Sequence, residues 1–175
     1  MDDVELHTER LTLRRLRPTD AGRLAEIADD VRIARNLTHR FPHPYTVDDA
    51  NGFISSDPQA FALELTATDD GLIGVVGGED GTGILIGVHI FGYWLGFDYW
   101  GQGYATEAGR AYLDYIIRSG GDQELRRVEA AVFGWNPASG TVLAKLGLTH
   151  EGTLSNRILR LGEVTDELIY GMSVV

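Results

Sequence analysis

Apolar and polar residues alternate along Arg10-Leu-Thr-Leu-Arg-Arg-Leu16, the period of a half-buried strand. Pro18 then stands where a helix start tolerates proline, and Leu24, Ile27 and Ala28 follow at helical spacing. His39-Arg-Phe-Pro-His-Pro-Tyr45 carries two prolines and reads as a loop. Thr46-Val-Asp-Asp49 resembles a capping box and opens a second helix through about Ser55. Phe61–Thr66, Leu72–Gly77 and Leu85–Leu95 read as strands joined by glycine and aspartate turns. From Tyr104 to Arg118, Ala105, Ala108, Tyr112, Tyr115 and Ile116 form one apolar helical stripe. Val128–Phe133 has the length and composition of a buried strand. Asn136 and Pro137 form an N-cap and first turn, and Gly147 ends that helix. Leu154–Leu161 and Val164–Met172 close the chain as a hairpin. The order β-α-α-β-β-β-α-β-α-β-β gives an α/β fold with a mixed sheet of six to seven strands flanked by about four helices.

The length of 175 residues suits a single domain over 1–175, and 43% apolar residues suffice for a core. Fifteen Lys and Arg against 26 Asp and Glu leave a net charge of -11. That balance disfavours direct nucleic-acid binding and attracts basic peptides and amines. Cysteine is absent, which removes disulfides, thiolate metal sites and cysteine nucleophiles. No apolar run reaches the roughly 18 residues of a membrane helix, and the acidic start MDDVELHTER does not read as a secretory signal. A cytoplasmic protein with no membrane partner is the expectation, with a homodimer left open.

The chemistry concentrates between the strand ending at Leu95 and the helix starting at Tyr104. Gly101 and Gly103 allow a tight turn, and the helix N-terminus adds roughly half a positive charge and unpaired N–H donors. Such a turn holds phosphate without lysine. The Walker pattern is absent, and Thr106 stands where the dinucleotide fingerprint has its third glycine. A Cβ at Gly103 is expected to project where a pyrophosphate approaches.

Read with its neighbours, Tyr99-Trp-Gly-Gln-Gly-Tyr-Ala-Thr-Glu-Ala108 resembles the coenzyme A loop of the GNAT superfamily of N-acetyltransferases. The nearer resemblance is to the RimJ/RimL branch, which acetylates ribosomal protein N-termini. Four further segments match in order: Thr8-Glu-Arg-Leu-x-Leu-Arg14; Pro44-Tyr-Thr46 with Asp49-Ala50; Asn136-x-x-Ser139-x-x-Val-Leu-x-Lys-Leu-Gly147; and Glu151-Gly-x-Leu154 with Asp166 and Tyr170-Gly171. Two positions depart from the superfamily pattern. Trp100 takes a Gln/Arg place in the loop, and Leu143 takes the place of a tyrosine general acid.

The resemblance implies acetyl-CoA as cosubstrate and no metal. Its arm would lie beside Tyr93, Trp94 and Leu95, and its pyrophosphate on the N–H groups of Gln102, Gly103, Tyr104, Ala105 and Thr106, with Trp100, Gly101, Asn136 and Ser139 as further contacts. Ser139 is the candidate general acid for the leaving thiolate, with helix capping as the plainer role. Glu129, inside an apolar strand beside Arg127, would be a base poised by burial or half of an ion pair. His89 would face the acceptor or be a satisfied strand histidine. Tyr45, in a loop read as a mobile lid, would lie near the acceptor amine. Trp94 and Trp100 have core packing as their plainer role, and Glu107 a favourable placement on the helix dipole. His39, His43, Asp48, Asp49 and Asp57 fit no metal-ligand spacing. The acceptor implied is a protein N-terminal amine, with a small amine as the alternative. A noncatalytic acyl-CoA-binding protein is the reading from another class.

Overall fold

Leu11 and Leu13 share one face of a strand and have no exposed surface, whereas Arg14 on the opposite face is buried by pairing. Its guanidinium donates to both carboxylate oxygens of Asp20 at 2.8 Å and to Glu64 Oε1 at 2.5 Å. Burial alone would push the Asp20 carboxyl up. The Arg14 hydrogen bonds and the Arg17 N–H, 2.7 Å away, hold it below the ordinary carboxylate range instead. A depressed folded pKa contributes stability above the unfolded value and loses it as pH falls through the folded one. Asp20→Asn is therefore expected to cost about 2 kcal/mol at pH 7, Glu64 still partnering Arg14. The gap from the parent should close below about pH 4 in urea unfolding series. A gap independent of pH would exclude the ion pair as its source.

These observations come from a computed structural model that describes residues 4–56, 58–68, 71–119 and 125–174. The elements are β1 (Leu6–His7), β2 (Leu11–Arg15), α1 (Ala21–Ala28), α2 (Val31–Ala34), α3 (Val47–Ser55), β3 (Ala60–Leu65), β4 (Leu72–Asp80), β5 (Val88–Leu95), α4 (Tyr104–Ser119), β6 (Arg127–Phe133), α5 (Pro137–Lys145), β7 (Thr149–Arg160) and β8 (Glu163–Ser173). The eight strands form one mixed sheet in the order β1-β2-β3-β4-β5-β6-β8-β7. None of the described helices is long and apolar enough to cross a membrane.

Two compact units are distinguished: Met1–Gly78 with Tyr93–Tyr112, and Glu79–Gly92 with Leu113–Val175. In the first, β1, β2, β3 and β4 pair antiparallel in succession, with Leu13 opposite both Leu6 and Leu63. Leu24, Ala25 and Ala28 of α1 and Ala50 of α3 join Ala60, Ala62, Leu72 and Val75 of the sheet in one core, flanked by Trp94. Thr46 and Asp49 close a reciprocal capping box at the start of α3. In the second unit, β5 and β6 run parallel from Val88↔Arg127 to Ile90↔Glu129, and β8 pairs antiparallel with both β6 and β7. Leu161 and Gly162, both at positive φ, form the two-residue turn between β7 and β8.

Among the described residues the sheet has eight strands rather than six or seven, and there are five α-helices rather than about four. β1 spans two residues and α2 four, too short for a hydrophobic period to register. β5 begins at Val88, not Leu85, because Gly83–Leu85 is a 3-10 turn and Gly87 has φ +82°. Ile84, Leu85 and Ile86 are exposed, so the apolar run there is surface and not strand core.

Candidate functional site

The turn between β5 and α4 is built from glycine conformations and fixed by side chains around it. Gly101 has φ +72° and Gly103 φ +86°, both in the left-handed region that favours glycine. Gly103 O accepts the first intrahelical bond, from Glu107 N at 3.0 Å. Tyr104, Ala105 and Thr106 therefore start α4 with N–H groups that have no carbonyl four residues back within the helix. Upstream, Trp100 Nε1 donates to Leu95 O at 2.8 Å and Gln102 Nε2 to Asp98 O at 2.9 Å. Arg23 donates to the Tyr99 hydroxyl at 3.1 Å, and the Arg32 guanidinium lies 3.3 Å above the Phe97 ring.

Trp100 is 40% exposed, so its plainer role as a core aromatic does not hold, whereas Trp94 is half-buried and packs edge-on to Phe41. A Cβ at Gly103 would meet Arg10 Nη2 at 3.4 Å, and a Cβ at Gly101 would enter open space.

Glu107 does more than sit on the helix dipole. Its Oε1 accepts from the Thr8 hydroxyl at 2.6 Å and from Arg10 N at 2.8 Å, and its Oε2 from Arg10 Nε at 2.7 Å. Burial alone would raise the Glu107 carboxyl; the Thr8 and Arg10 donors hold it below the usual range. Arg10 Nη1 continues to Gln102 O at 3.0 Å, and its guanidinium lies 4.6 Å over the Tyr104 ring. The Thr8-Glu-Arg10 segment was legible as part of a motif. Its partner, about a hundred residues away, was not.

In the second unit, Asn136 Oδ1 accepts from Ser139 N at 3.3 Å, the N-cap expected of α5. Ser139 is half-buried in the first turn of α5, and Leu143 is fully buried on its inner face. A cavity of about 320 Å³ lies between α5 and the ends of β6 and β8, lined by Phe133, Asn136, Gly140, Thr141, Leu168 and Tyr170. A Cβ at Gly140 would stand 2.5 Å from the Tyr170 hydroxyl, so only glycine lets the phenol reach the helix backbone. Tyr170 belongs to the last of the matched sequence segments, whose pattern by itself assigns it no role.

Glu129 and His89 take the plainer of the two settings expected for each, and Tyr45 is buried. Glu129 is not desolvated. Its side chain is 35% exposed and accepts from Arg127 Nε at 2.6 Å, while Arg127 also binds Glu151. It belongs to a partly exposed ion-pair network with Arg127 and Glu151. His89 is 2% exposed with Nδ1 2.7 Å from Asp80 Oδ1, a satisfied strand histidine. Tyr45 is a core residue, 7% exposed, its ring 4.6 Å from Phe41. Burial pushes its hydroxyl up to about 12, so it stays protonated. The loop expected to be a lid is tied to the end of α1 at this point, since Tyr45 N donates to Asp29 Oδ1 at 2.9 Å and His43 lies 3.3 Å from the same carboxylate. Among the described residues no three His, Asp or Glu side chains gather as a metal site; Asp57 lies outside those residues.

Residues 10–149 match the family model described as the acetyltransferase (GNAT) domain. An uncharacterized N-acetyltransferase, p20, of Bacillus licheniformis is 31% identical over 95% of this chain and 94% of its own. The ribosomal protein uS5 alanine N-acetyltransferase of Escherichia coli K12 is 27% identical over 97% of this chain and 91% of its own. Among solved structures, RimL, a ribosomal alpha-N-protein acetyltransferase in complex with coenzyme A, superposes with a TM-score of 0.82. It covers 97% of this chain and 98% of its own at 16% identity, which shows a shared fold.

Proposed function

The chain belongs to the GNAT acetyltransferase family, and on that premise we propose that it moves acetyl from acetyl-CoA to the α-amine of a protein N-terminus by direct transfer. The observation that carries the reading is the lysine-free turn at the start of α4, where two positive-φ glycines precede the open N–H groups of a 16-residue helix. That arrangement suits a pyrophosphate by backbone donors and the helix dipole. The uS5 alanine N-acetyltransferase relative supports a protein acceptor, as its name gives an alanine of a ribosomal protein as its own substrate.

In this reading the neutral amine attacks the thioester carbonyl, a C–N bond forms, and the C–S bond breaks. The departing thiolate takes its proton from the Ser139 hydroxyl, which is reprotonated through water by the proton that the attacking nitrogen sheds. Asn136 caps α5 and contacts the coenzyme. Glu129 is committed to Arg127, so the neutral amine arrives as the unprotonated fraction of the acceptor. This favours an α-amine: with a pKa of about 8, roughly a tenth is neutral at pH 7, against less than a thousandth of an alkyl amine titrating at about 10.4.

The test is acetyl-CoA turnover over peptides with one common N-terminal residue and varied downstream charge, beside amino acids and polyamines. Peptides should be turned over in preference to alkyl amines. Basic peptides should be favoured at low salt, because the -11 charge raises their encounter rate, and that preference should fade by about 0.15 M salt. Turnover of small amines alone would reassign the acceptor. Coenzyme binding without any turnover would identify an acyl-CoA-binding protein.

A further inference from the structure

The two glycines of the turn supply flexibility as well as fit. A glycine visits left- and right-handed conformations about equally, so Gly101 and Gly103 do not by themselves keep their N–H groups aimed in one direction. Something outside the turn has to do so. The Gln102–Gly103 peptide has such a support, because its carbonyl accepts from Arg10 Nη1 at 3.0 Å. In a trans peptide the C=O and the following N–H point in opposite directions. With the Gln102 carbonyl turned to Arg10, the Gly103 N–H is turned away from it. Arg10 is itself fixed at the other end of its fork, with Nε 2.7 Å and Nη2 2.6 Å from Glu107 Oε2. Glu107 is in turn held by the Thr8 hydroxyl and Arg10 N, so the whole latch is anchored between β1 and β2. Arg10 also offsets a carboxylate that would otherwise repel an anion arriving at the first turn of α4.

We propose that Arg10, seated on Glu107, is the positioning residue of the phosphate-binding turn. It holds the Gln102–Gly103 peptide with its N–H toward the coenzyme pyrophosphate and keeps the Glu107 charge from opposing it. It takes no part in acetyl transfer. This role compensates for Trp100, which occupies the loop position where a Gln or Arg side chain was expected. The proposal rests on reading the turn as the coenzyme A site.

The experiment compares acetyl-CoA with S-acetylpantetheine, which carries the same thioester without the phosphates, as acetyl donors to one acceptor. The parent should favour acetyl-CoA. In Arg10→Gln, KM for acetyl-CoA should rise about tenfold through loss of a charged hydrogen bond, with kcat within about twofold. The S-acetylpantetheine kcat/KM should stay within about twofold, which also reports that the variant is folded. Arg10→Lys keeps the charge but not the planar fork that spans Glu107 and Gln102, and should resemble Arg10→Gln. If Arg10→Gln does not fold, Arg10→Lys carries the test alone. Equal losses for both donors, an unchanged KM, or parental behaviour of Arg10→Lys would each overturn the positioning role while leaving the site reading intact. A parent that uses both donors equally well would remove the phosphate site itself, and this proposal with it.

Discussion

Replacing Ser139 by alanine is expected to lower kcat and kcat/KM together by about 10²-fold, the lower end of what general acid–base groups contribute. The substitution leaves the cap of α5 in place. The cap of α5 uses the Asn136 side chain and the Ser139 backbone N–H, at 3.3 Å, and neither changes when the hydroxyl is removed. Alanine also favours a helix. Leu143, at the position where the superfamily pattern has a tyrosine, has no proton to give, and Ser139 is the donor proposed in its place. Turnover matched to the parent in Ser139→Ala would return the hydroxyl to a purely structural role, with the thiolate leaving unassisted.

The largest stability effect is expected at Gly74, where alanine should cost about 3 kcal/mol and lower the melting temperature by roughly 10 °C. A Cβ there would stand 2.4 Å from the Trp94 carbonyl oxygen, 2.6 Å from Leu95 Cδ2 and 2.9 Å from Leu95 Cα. Two of those atoms are β5 backbone, which cannot rotate aside as a side-chain tip can. The strand is fixed there as well, since Gly96 N donates to Ile73 O at 2.9 Å. The strain should reach the turn, because the Leu95 carbonyl is the acceptor for the Trp100 indole. Coenzyme affinity should therefore fall with stability. Calorimetric melting and coenzyme A titration of Gly74→Ala test both; a protein melting within about 2 °C of the parent would contradict so close an approach of β4 to β5.

The sequence by itself determined the features whose partners lie within a few residues. The Thr46–Asp49 capping box, the Asn136–Pro137 start of α5, Gly147 at φ +95° and the two-glycine turn all depend on backbone groups up to four positions away. The strands with clear alternation were legible for the same reason, and the acidic charge balance and the family resemblance were legible as well. Tertiary structure decided whatever depends on a partner distant in sequence. Period-two alternation says that Glu129 and Arg127 share a face, but not whether that face is dry; Glu151, from β7, makes it a partly exposed ion-pair network. An aromatic such as Tyr45 or Trp100 carries the same hydrophobicity in a loop or a core, and only packing separated the buried one from the exposed one. The Thr8–Arg10–Glu107 latch spans 97 residues between Arg10 and Glu107, and no local propensity encodes that meeting. Local hydrogen bonds leave a signature in residue order because their geometry is fixed by the chain. A long-range contact exists only once the sheet has set its strand order.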